Sequence, residues 1–184
     1  MAQRILAVDD EPHMLKLLER IISEKTPYEI VTTNSPLEVP CLLEQSEFDL
    51  LITDLKMPSV DGMDLLRLVR EQGRAEEVII ITAFGSLETA IEALAQGVFD
   101  YITKPFKKEQ ILFTVDRAMR WQRLKREAAR MDSLFAREPY AEAVEAFREE
   151  YLRRLCDRCG GDRELAAERS GLPADAVPAA LAAP

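Results

Sequence analysis

The sequence predicts a doubly wound α/β fold built on a five-stranded parallel sheet. Five short apolar runs recur along the first part of the chain, and each is followed by a stretch with helical spacing. The third and fourth runs lie within FDLLITD and VIIIT, and they are nearly continuous in apolar residues, as in strands covered on both faces. The predicted strands are residues 5–8, 28–31, 48–53, 78–82 and 99–103.

Composition limits the classes of protein that this chain can represent. At 184 residues it has room for one domain of ordinary size and a small appendage. It has no run of about 18 uncharged apolar residues and no signal-peptide pattern, so we expect a cytoplasmic protein without a membrane segment. The net charge of -9 argues against non-specific nucleic-acid binding by the whole molecule, because attraction to phosphate supplies most of that affinity.

Polar side chains follow the predicted strands at one edge of the sheet. The carboxyl ends of parallel strands meet at this edge, where ligands bind in doubly wound folds. Several of these side chains are carboxylates, and carboxylates that lie close together raise one another's pKa, so we expect such a cluster to bind a cation. The polar residues are Asp9 and Asp10 after strand one, Asp54 after strand three, Thr82 at the end of strand four and Lys104 just past strand five.

This order of residues resembles the receiver domain of two-component response regulators. The matching stretches are ILAVDDEP, DLLITDLKMPSVDGMDLL and VIIITAFGSLETAIEALAQGVFDYITKPF, within residues 3–120. The last stretch is especially similar to receivers of the nitrogen-regulator class of transcription activators. The resemblance implies a flavodoxin-like sheet and a phosphorelay in which a sensor histidine kinase phosphorylates an aspartate.

The resemblance also implies a role for each polar residue. Asp54 would be the phosphoacceptor, whose carboxylate attacks a phosphoryl group and forms an acyl phosphate. The direct ligands of Mg²⁺, which Mn²⁺ can replace, would be Asp10, Asp54 and the backbone carbonyl of Lys56. Asp9 would act on the metal through water. The ammonium of Lys104 would hold the phosphoryl oxygens from the other side.

Two residues are expected to report the phosphorylated state. In the family that this chain resembles, the hydroxyl at the position of Thr82 moves to hydrogen-bond the phosphoryl group. The aromatic ring at the position of Tyr101 then turns inward. The small side chain of Ala83 leaves room for the phosphoryl group, and a cis peptide bond is expected before Pro105.

The second predicted helix departs from a regular receiver. Pro40 falls inside it, where proline removes a backbone donor and clashes with the preceding turn. Pro36 is a good first-turn residue, whereas Pro40 is not. We therefore expect a short or kinked helix.

The chain is expected to form three parts: a receiver domain over residues 1–120, a helical linker over 121–138 and a small all-α domain over 139–184. Residues 107–136 contain no Gly or Pro, so helix five should continue beyond the receiver. Its apolar residues have the spacing of a short coiled coil, which favours a homodimer over a helix packed on its own receiver. These residues are Trp121, Leu124, Ala128, Met131 and Phe135.

The last part resembles the Fis-type helix-turn-helix that ends many activators of this class. An amphipathic helix should stop at Gly160 and Gly161, and a second short helix should end near Gly171. The next stretch, PADAVPAALAAP, should enter the major groove, but it has no basic residue and contains Pro178. The recognition helix is therefore degenerate. The apolar face of the first helix is predicted to hold Val144, Phe147, Tyr151 and Leu155.

Two outputs of different class remain open. One is transcriptional regulation through DNA binding, for which five arginines are available. The alternative is a phosphorelay or protein-interaction regulator whose tail dimerises or docks a partner, which the seven basic against ten acidic side chains of residues 137–184 favour. The chain has no GxxxxGK[ST] loop, and its tail has no clustered catalytic constellation, so we expect no enzymatic output. The arginines are Arg148, Arg153, Arg154, Arg163 and Arg169.

The three cysteines carry no predicted site. An odd number of cysteines in a chain without an export signal argues against a disulfide framework. Cys156 and Cys159 have the spacing of redox and zinc motifs, but no second pair accompanies them. On a helix two such thiols simply share a face.

Overall fold

The computed structural model describes residues 3–135, 140–173 and 177, and for residues 131–135 it describes only the backbone. The chain divides into two compact units, Met1–Lys125 and Arg126–Pro184. No helix in the described ranges has the length and apolar character needed to span a bilayer.

The first unit contains the predicted five-stranded parallel sheet, with strand order β2-β1-β3-β4-β5. The winding direction reverses between β1 and β3, which opens a crevice at the carboxyl ends of these two strands. In the register, Val8 at the end of β1 pairs with Thr53 at the end of β3. The strands are β1 Arg4–Val8, β2 Glu29–Thr33, β3 Leu50–Thr53, β4 Glu77–Thr82 and β5 Asp100–Thr103.

Helices cover both faces of this sheet, as the apolar strands predict. Alternate residues of β1 enter different cores: Leu6 and Val8 face one, whereas Ile5 and Ala7 face the other. Helices α2, α3 and α4 cover the first core, and α1 and α5 cover the second. The helices are α1 Pro12–Lys25, α2 Val39–Gln45, α3 Gly62–Glu71, α4 Leu87–Ala95 and α5 Lys108–Phe135.

The second helix is short, as expected, but the role predicted for Pro40 is wrong. A 3₁₀ turn over Pro36–Glu38 precedes α2, and α2 begins at Val39. Pro40 therefore lies in the first turn of α2, where a backbone N–H has no partner within the helix and its loss costs little.

Helix α5 extends beyond the receiver part, as its composition predicts. Trp121, Leu124 and Ala128 of the predicted seam are exposed. The side chains of Met131 and Phe135 lie outside the description, so the seam remains a prediction over its second half.

The second unit contains two further helices, α6 Tyr140–Arg158 and α7 Arg163–Ser170. The predicted stops are confirmed, because Gly160, Gly161 and Gly171 all have positive φ, a conformation that glycine adopts without steric cost. Most of the stretch PADAVPAALAAP lies outside the described residues. Apart from partly buried neighbours, the core of this unit contains Leu152, Leu155, Cys156, Ala166, Ala167 and Val177.

The apolar face predicted for α6 is divided between two environments. Leu155 is buried against α7, whereas Val144, Phe147 and Tyr151 are exposed. The helix itself is confirmed, and only the end of its apolar face is buried, because α7 is only eight residues long and covers one side of α6. Both cysteines of the CxxC pair are free thiols at the end of α6.

Candidate functional site

The structure brings the three predicted acids together at the β1/β3 crevice. Asp9, Asp10 and Asp54 each offer a carboxylate oxygen, and these oxygens lie within 4.8 Å of one another. Strand hydrogen bonding fixes this approach, since the backbone N–H of Asp54 donates to the carbonyl of Val8 at 3.1 Å. Asp9 and Asp54 are buried, with 2% and 5% of their surfaces exposed, whereas Asp10 is exposed. Among the described residues this is the one group of potential metal-ligating side chains at such spacing.

Lys104 supplies the positive charge that faces these acids. Its Nζ lies 2.9 Å from Asp9 Oδ2, 3.4 Å from Glu11 Oε1 and 3.9 Å from Asp54 Oδ1. Burial alone would lower the pKa of Lys104, but the hydrogen bond and charge of Asp9, the charge of Asp54 and the hydrogen bond to Glu11 together outweigh it, so the pKa is raised and the ammonium stays charged. The Lys104–Pro105 peptide bond is cis, as predicted.

Glu11 is a neighbour of this site that the sequence prediction left out. Its carboxylate contacts Lys104, and its backbone N–H donates to Asp9 Oδ1 at 2.8 Å. The position of Glu11 directly after Asp9 and Asp10 is the one feature of the sequence that indicates a place near the site. Which of three consecutive acids reaches the lysine depends on the turn that follows β1, and that turn is not readable from residue type.

Asp54 is held in an environment that disfavours its charge. Burial raises its pKa, and the nearby charge of Asp9 raises it further. Lys104 and hydrogen bonds from the backbone of Leu55 and the side chain of Thr82 lower it, but the net shift is upward. Asp54 Oδ1 is buried and has no hydrogen-bond partner among the described residues. A buried carboxylate oxygen in this state fits a divalent ion that prefers oxygen ligands.

The two predicted switch residues, Thr82 and Tyr101, have different hydrogen-bond partners. Thr82 is fully buried, and its Oγ1 accepts a hydrogen bond from the backbone N–H of Phe84 at 3.1 Å. Tyr101 is partly buried against the core under α4, and its hydroxyl lies 3.1 Å from Thr89 Oγ1. The predicted movement of both side chains stays a prediction.

The loop between β3 and α3 contains Lys56, the residue predicted to offer a backbone carbonyl. Lys56 is exposed and follows Asp54 by two residues. Further along, the backbone N–H of Val60 donates to the carbonyl of Pro58 at 2.9 Å, and Ser59 between them has φ of 73°. This is the geometry of a γ-turn, which constrains the loop tightly.

An open, largely apolar pocket adjoins the site on the α1 side. Ala83, the small residue expected to leave room for a phosphoryl group, is exposed within it. The pocket is lined by Met14, Leu17, Ala83, Lys104, Pro105 and Phe106.

Comparisons with known proteins agree with this geometry. A family model described as the response regulator receiver domain matches residues 5–116. The transcriptional regulatory protein GlrR of Escherichia coli strain K12 is 40% identical over 116 residues, which cover 62% of this chain and 26% of GlrR. The chain thus spans about a quarter of the length of the curated relatives it matches.

Two solved structures have the same fold. A response regulator receiver domain protein from Clostridium thermocellum is 31% identical with a TM-score of 0.61, and the match covers 66% of this chain and 98% of that one. The beryllofluoride-activated NtrC4 receiver domain dimer is 30% identical with a TM-score of 0.61, and the match covers 65% of this chain and 98% of that one.

Proposed function

Since this chain belongs to the response regulator receiver domain family, we propose that it is a Mg²⁺-dependent phosphoacceptor switch that a sensor histidine kinase phosphorylates on Asp54. Its receiver is related to those of nitrogen-regulator-type activators. The observation that carries the proposal is the buried Asp54, whose Oδ1 has no hydrogen-bond partner in the described part of the chain and lies beside Lys104 and two further carboxylates.

The donor set fits Mg²⁺, because it consists of carboxylate and carbonyl oxygens. Asp10, Asp54 and the backbone carbonyl of Lys56 would hold the ion, and Asp9 would act through water. When bound, the ion neutralises the carboxylates and draws electron density from the phosphoryl oxygens.

The protein's own groups then perform the transfer. A carboxylate oxygen of Asp54 forms a bond to phosphorus as the phosphorus–nitrogen bond of the kinase phosphohistidine breaks, and its electron pair passes to the imidazole. Lys104 binds the equatorial phosphoryl oxygens, whose charge it stabilises. Positioning and charge neutralisation supply most of the catalysis in such a reaction.

Phosphorylation would then redistribute two hydrogen bonds. The Thr82 hydroxyl, which accepts from the backbone N–H of Phe84, would donate its own proton to a phosphoryl oxygen, and the Tyr101 hydroxyl would leave Thr89 as the ring turns inward. The shift in population is limited by how differently the phosphoryl group interacts with the two arrangements.

Removing the metal should abolish phosphorylation. We expect radiolabel from a small acyl phosphate to enter the protein in Mg²⁺ or Mn²⁺ and to fall to background in EDTA. Asp10→Asn should weaken Mn²⁺ binding by about 100-fold or more, since it removes one charged ligand. Glu109→Gln, on the exposed start of α5, is the control and should bind Mn²⁺ as the unmodified chain does. Equal labelling in EDTA and in Mg²⁺ would refute the proposal.

We propose a helical linker over residues 121–138 and a homodimer through its apolar seam. The exposure of Trp121, Leu124 and Ala128 supports this, and so does the dimeric state of the NtrC4 receiver, a structural neighbour.

For residues 139–184 we propose a Fis-like helical domain with transcriptional regulation as the output, since GlrR is a transcriptional regulatory protein. One observation favours the alternative of dimerisation or partner docking, because four of the five candidate arginines already have partners within the chain. Arg148 lies 3.8 Å from Glu145, and Arg163 donates to the carbonyl of Val177 at 2.6 Å. The other two bind the same acid: Arg153 and Arg154 both contact Glu150.

DNA binding separates these two outputs. If the tail reads DNA, the phosphorylated chain should bind particular genomic fragments, and the affinity should fall as salt rises. Fragment selection at several salt concentrations measures this, and sedimentation of the same samples reports the dimer. A dimer that binds no fragment selectively at low salt would favour the partner-docking alternative.

A further inference from the structure

We propose that Thr53 is a positioning residue for phosphoryl transfer, and that it acts together with Gly62 by fixing the peptide of Asp54. The inference rests on the proposed function, in which Asp54 is the phosphoacceptor. It concerns two residues that contact the backbone of Asp54 and do not contact its carboxylate.

Thr53 holds the carbonyl of the phosphoacceptor by a hydrogen bond. It is the last residue of β3, only 1% of its surface is exposed, and its Oγ1 donates to the carbonyl oxygen of Asp54 at 2.9 Å. A buried position at the end of a central strand is well suited to valine, which has the same shape without the hydroxyl. What threonine adds at this position is the hydrogen bond to the carbonyl of Asp54, which valine cannot form.

Gly62 lies close to the same carbonyl. A Cβ on Gly62 would lie 2.3 Å from the carbonyl oxygen of Asp54, closer than any real contact, so the oxygen lies against the glycine Cα. The backbone N–H of Gly62 donates to the carbonyl of Leu55 at 2.9 Å, and Asp61 caps α3 at this point. The start of α3 is thereby fixed against the backbone that carries the phosphoacceptor.

These two contacts determine where the reacting carboxylate points. The carbonyl oxygen of Asp54 contacts both the Thr53 hydroxyl and Gly62, so its peptide plane cannot turn without losing the hydrogen bond or creating a clash. A turned peptide would move the carboxylate relative to Lys104, which lies 3.9 Å away. A displacement of about 1 Å in a reaction that depends on positioning can cost about 100-fold in rate.

Phosphorylation kinetics of Thr53 variants test the inference. Thr53→Val keeps the shape and removes the hydroxyl, and Thr53→Ser keeps the hydroxyl. With a small acyl phosphate as donor, we expect Thr53→Val to lower the maximal rate by about 10- to 100-fold. The donor concentration at half-maximal rate and the Mn²⁺ affinity should change less than about twofold, because the Thr53 hydroxyl contacts neither the donor nor the metal ligands' carboxylates. Thr53→Ser should restore the rate.

A matched control separates positioning from general loss of stability. Thr114 is a second buried threonine that belongs to α5 and not to the strands that form the β1/β3 crevice, and Thr114→Val should leave the rate unchanged. Gly62→Ala is a second variant and should slow labelling at least as much as Thr53→Val. If it fails to fold, the Thr53 series still decides.

The outcomes have distinct meanings. A Thr53→Val protein that is labelled at the full rate would overturn the positioning role and leave Asp54 as the acceptor. A Thr53→Ser protein as slow as Thr53→Val would also overturn it, because the methyl group and not the hydroxyl would then matter. If the unmodified chain takes no label, the proposed function fails and the inference fails with it.

Discussion

Replacing Asp54 with asparagine is expected to abolish phosphorylation and, in metal-free buffer near neutral pH, to make the receiver more stable. Label from a kinase or a small acyl phosphate should fall to background, because the amide cannot form the acyl phosphate. The free energy of unfolding should rise, because burial and the charge of Asp9 make the ionised Asp54 costly. Label that persists at another residue at the full rate would defeat the assignment.

The gain in stability should depend on pH in a defined direction. The pKa of Asp54 is raised in the folded protein, whereas in the unfolded chain it is near the ordinary value of about 4. The folded state therefore binds more protons between these two values, and the stability of the unmodified protein falls as pH rises through that window. Below the unfolded pKa the two proteins should differ least, and above the folded pKa the difference should be complete.

Urea denaturation in EDTA at several pH values measures this difference. Adding Mg²⁺ should stabilise the unmodified protein by mass action and should stabilise Asp54→Asn less. Asp100→Asn is the control, since Asp100 is a carboxylate on β5 that pairs with Arg117 outside the site. A pH-independent difference, or an Asp54→Asn protein that is less stable at neutral pH, would contradict the electrostatic explanation.

Lys104→Met is expected to have the second large effect, on both rate and stability. Phosphoryl transfer should slow by about 10²- to 10³-fold, the usual cost of removing one preorganised charge-stabilising donor. The protein should also lose about 3–5 kcal/mol of stability, because the buried carboxylate of Asp9 is left without its lysine partner. Labelling kinetics measure the first effect, and denaturation in EDTA measures the second.

Two further variants make this test specific. Lys107→Met changes an exposed lysine three residues away and should leave both quantities unchanged. Adding Asp9→Asn to Lys104→Met should recover part of the lost stability, because it removes the unpaired charge. The assignment of Lys104 would be refuted if Lys104→Met were labelled at the unmodified rate.

The sequence predicts the fold and the acid cluster for the same physical reason. Apolar periodicity identifies parallel strands, and parallel strands bring the residues at their carboxyl ends to one edge, so Asp9 and Asp54 could be assigned without coordinates. Tertiary detail decides what the sequence did not predict. The first-turn position of Pro40 in α2 and the contact of Glu11 with Lys104 depend on how neighbouring turns close.

The contacts of Thr53 and Gly62 illustrate the same limit. Nothing in their residue types says that both touch the carbonyl of Asp54, because that meeting depends on the path of the loop from β3 to α3. The division of the α6 face likewise depends on the length of its partner helix. Such features follow from packing between segments and not from local pattern.

The pairing of Val8 with Thr53 has a consequence for how the site arises during folding. Asp9 and Asp54 each follow that pair by one residue. The backbone pairing of β1 with β3 therefore brings them close together without any further structural element. A shift of one position along either strand would turn the two carboxylates to opposite faces. The acid cluster therefore forms together with correct strand alignment, and a misaligned sheet would separate its carboxylates.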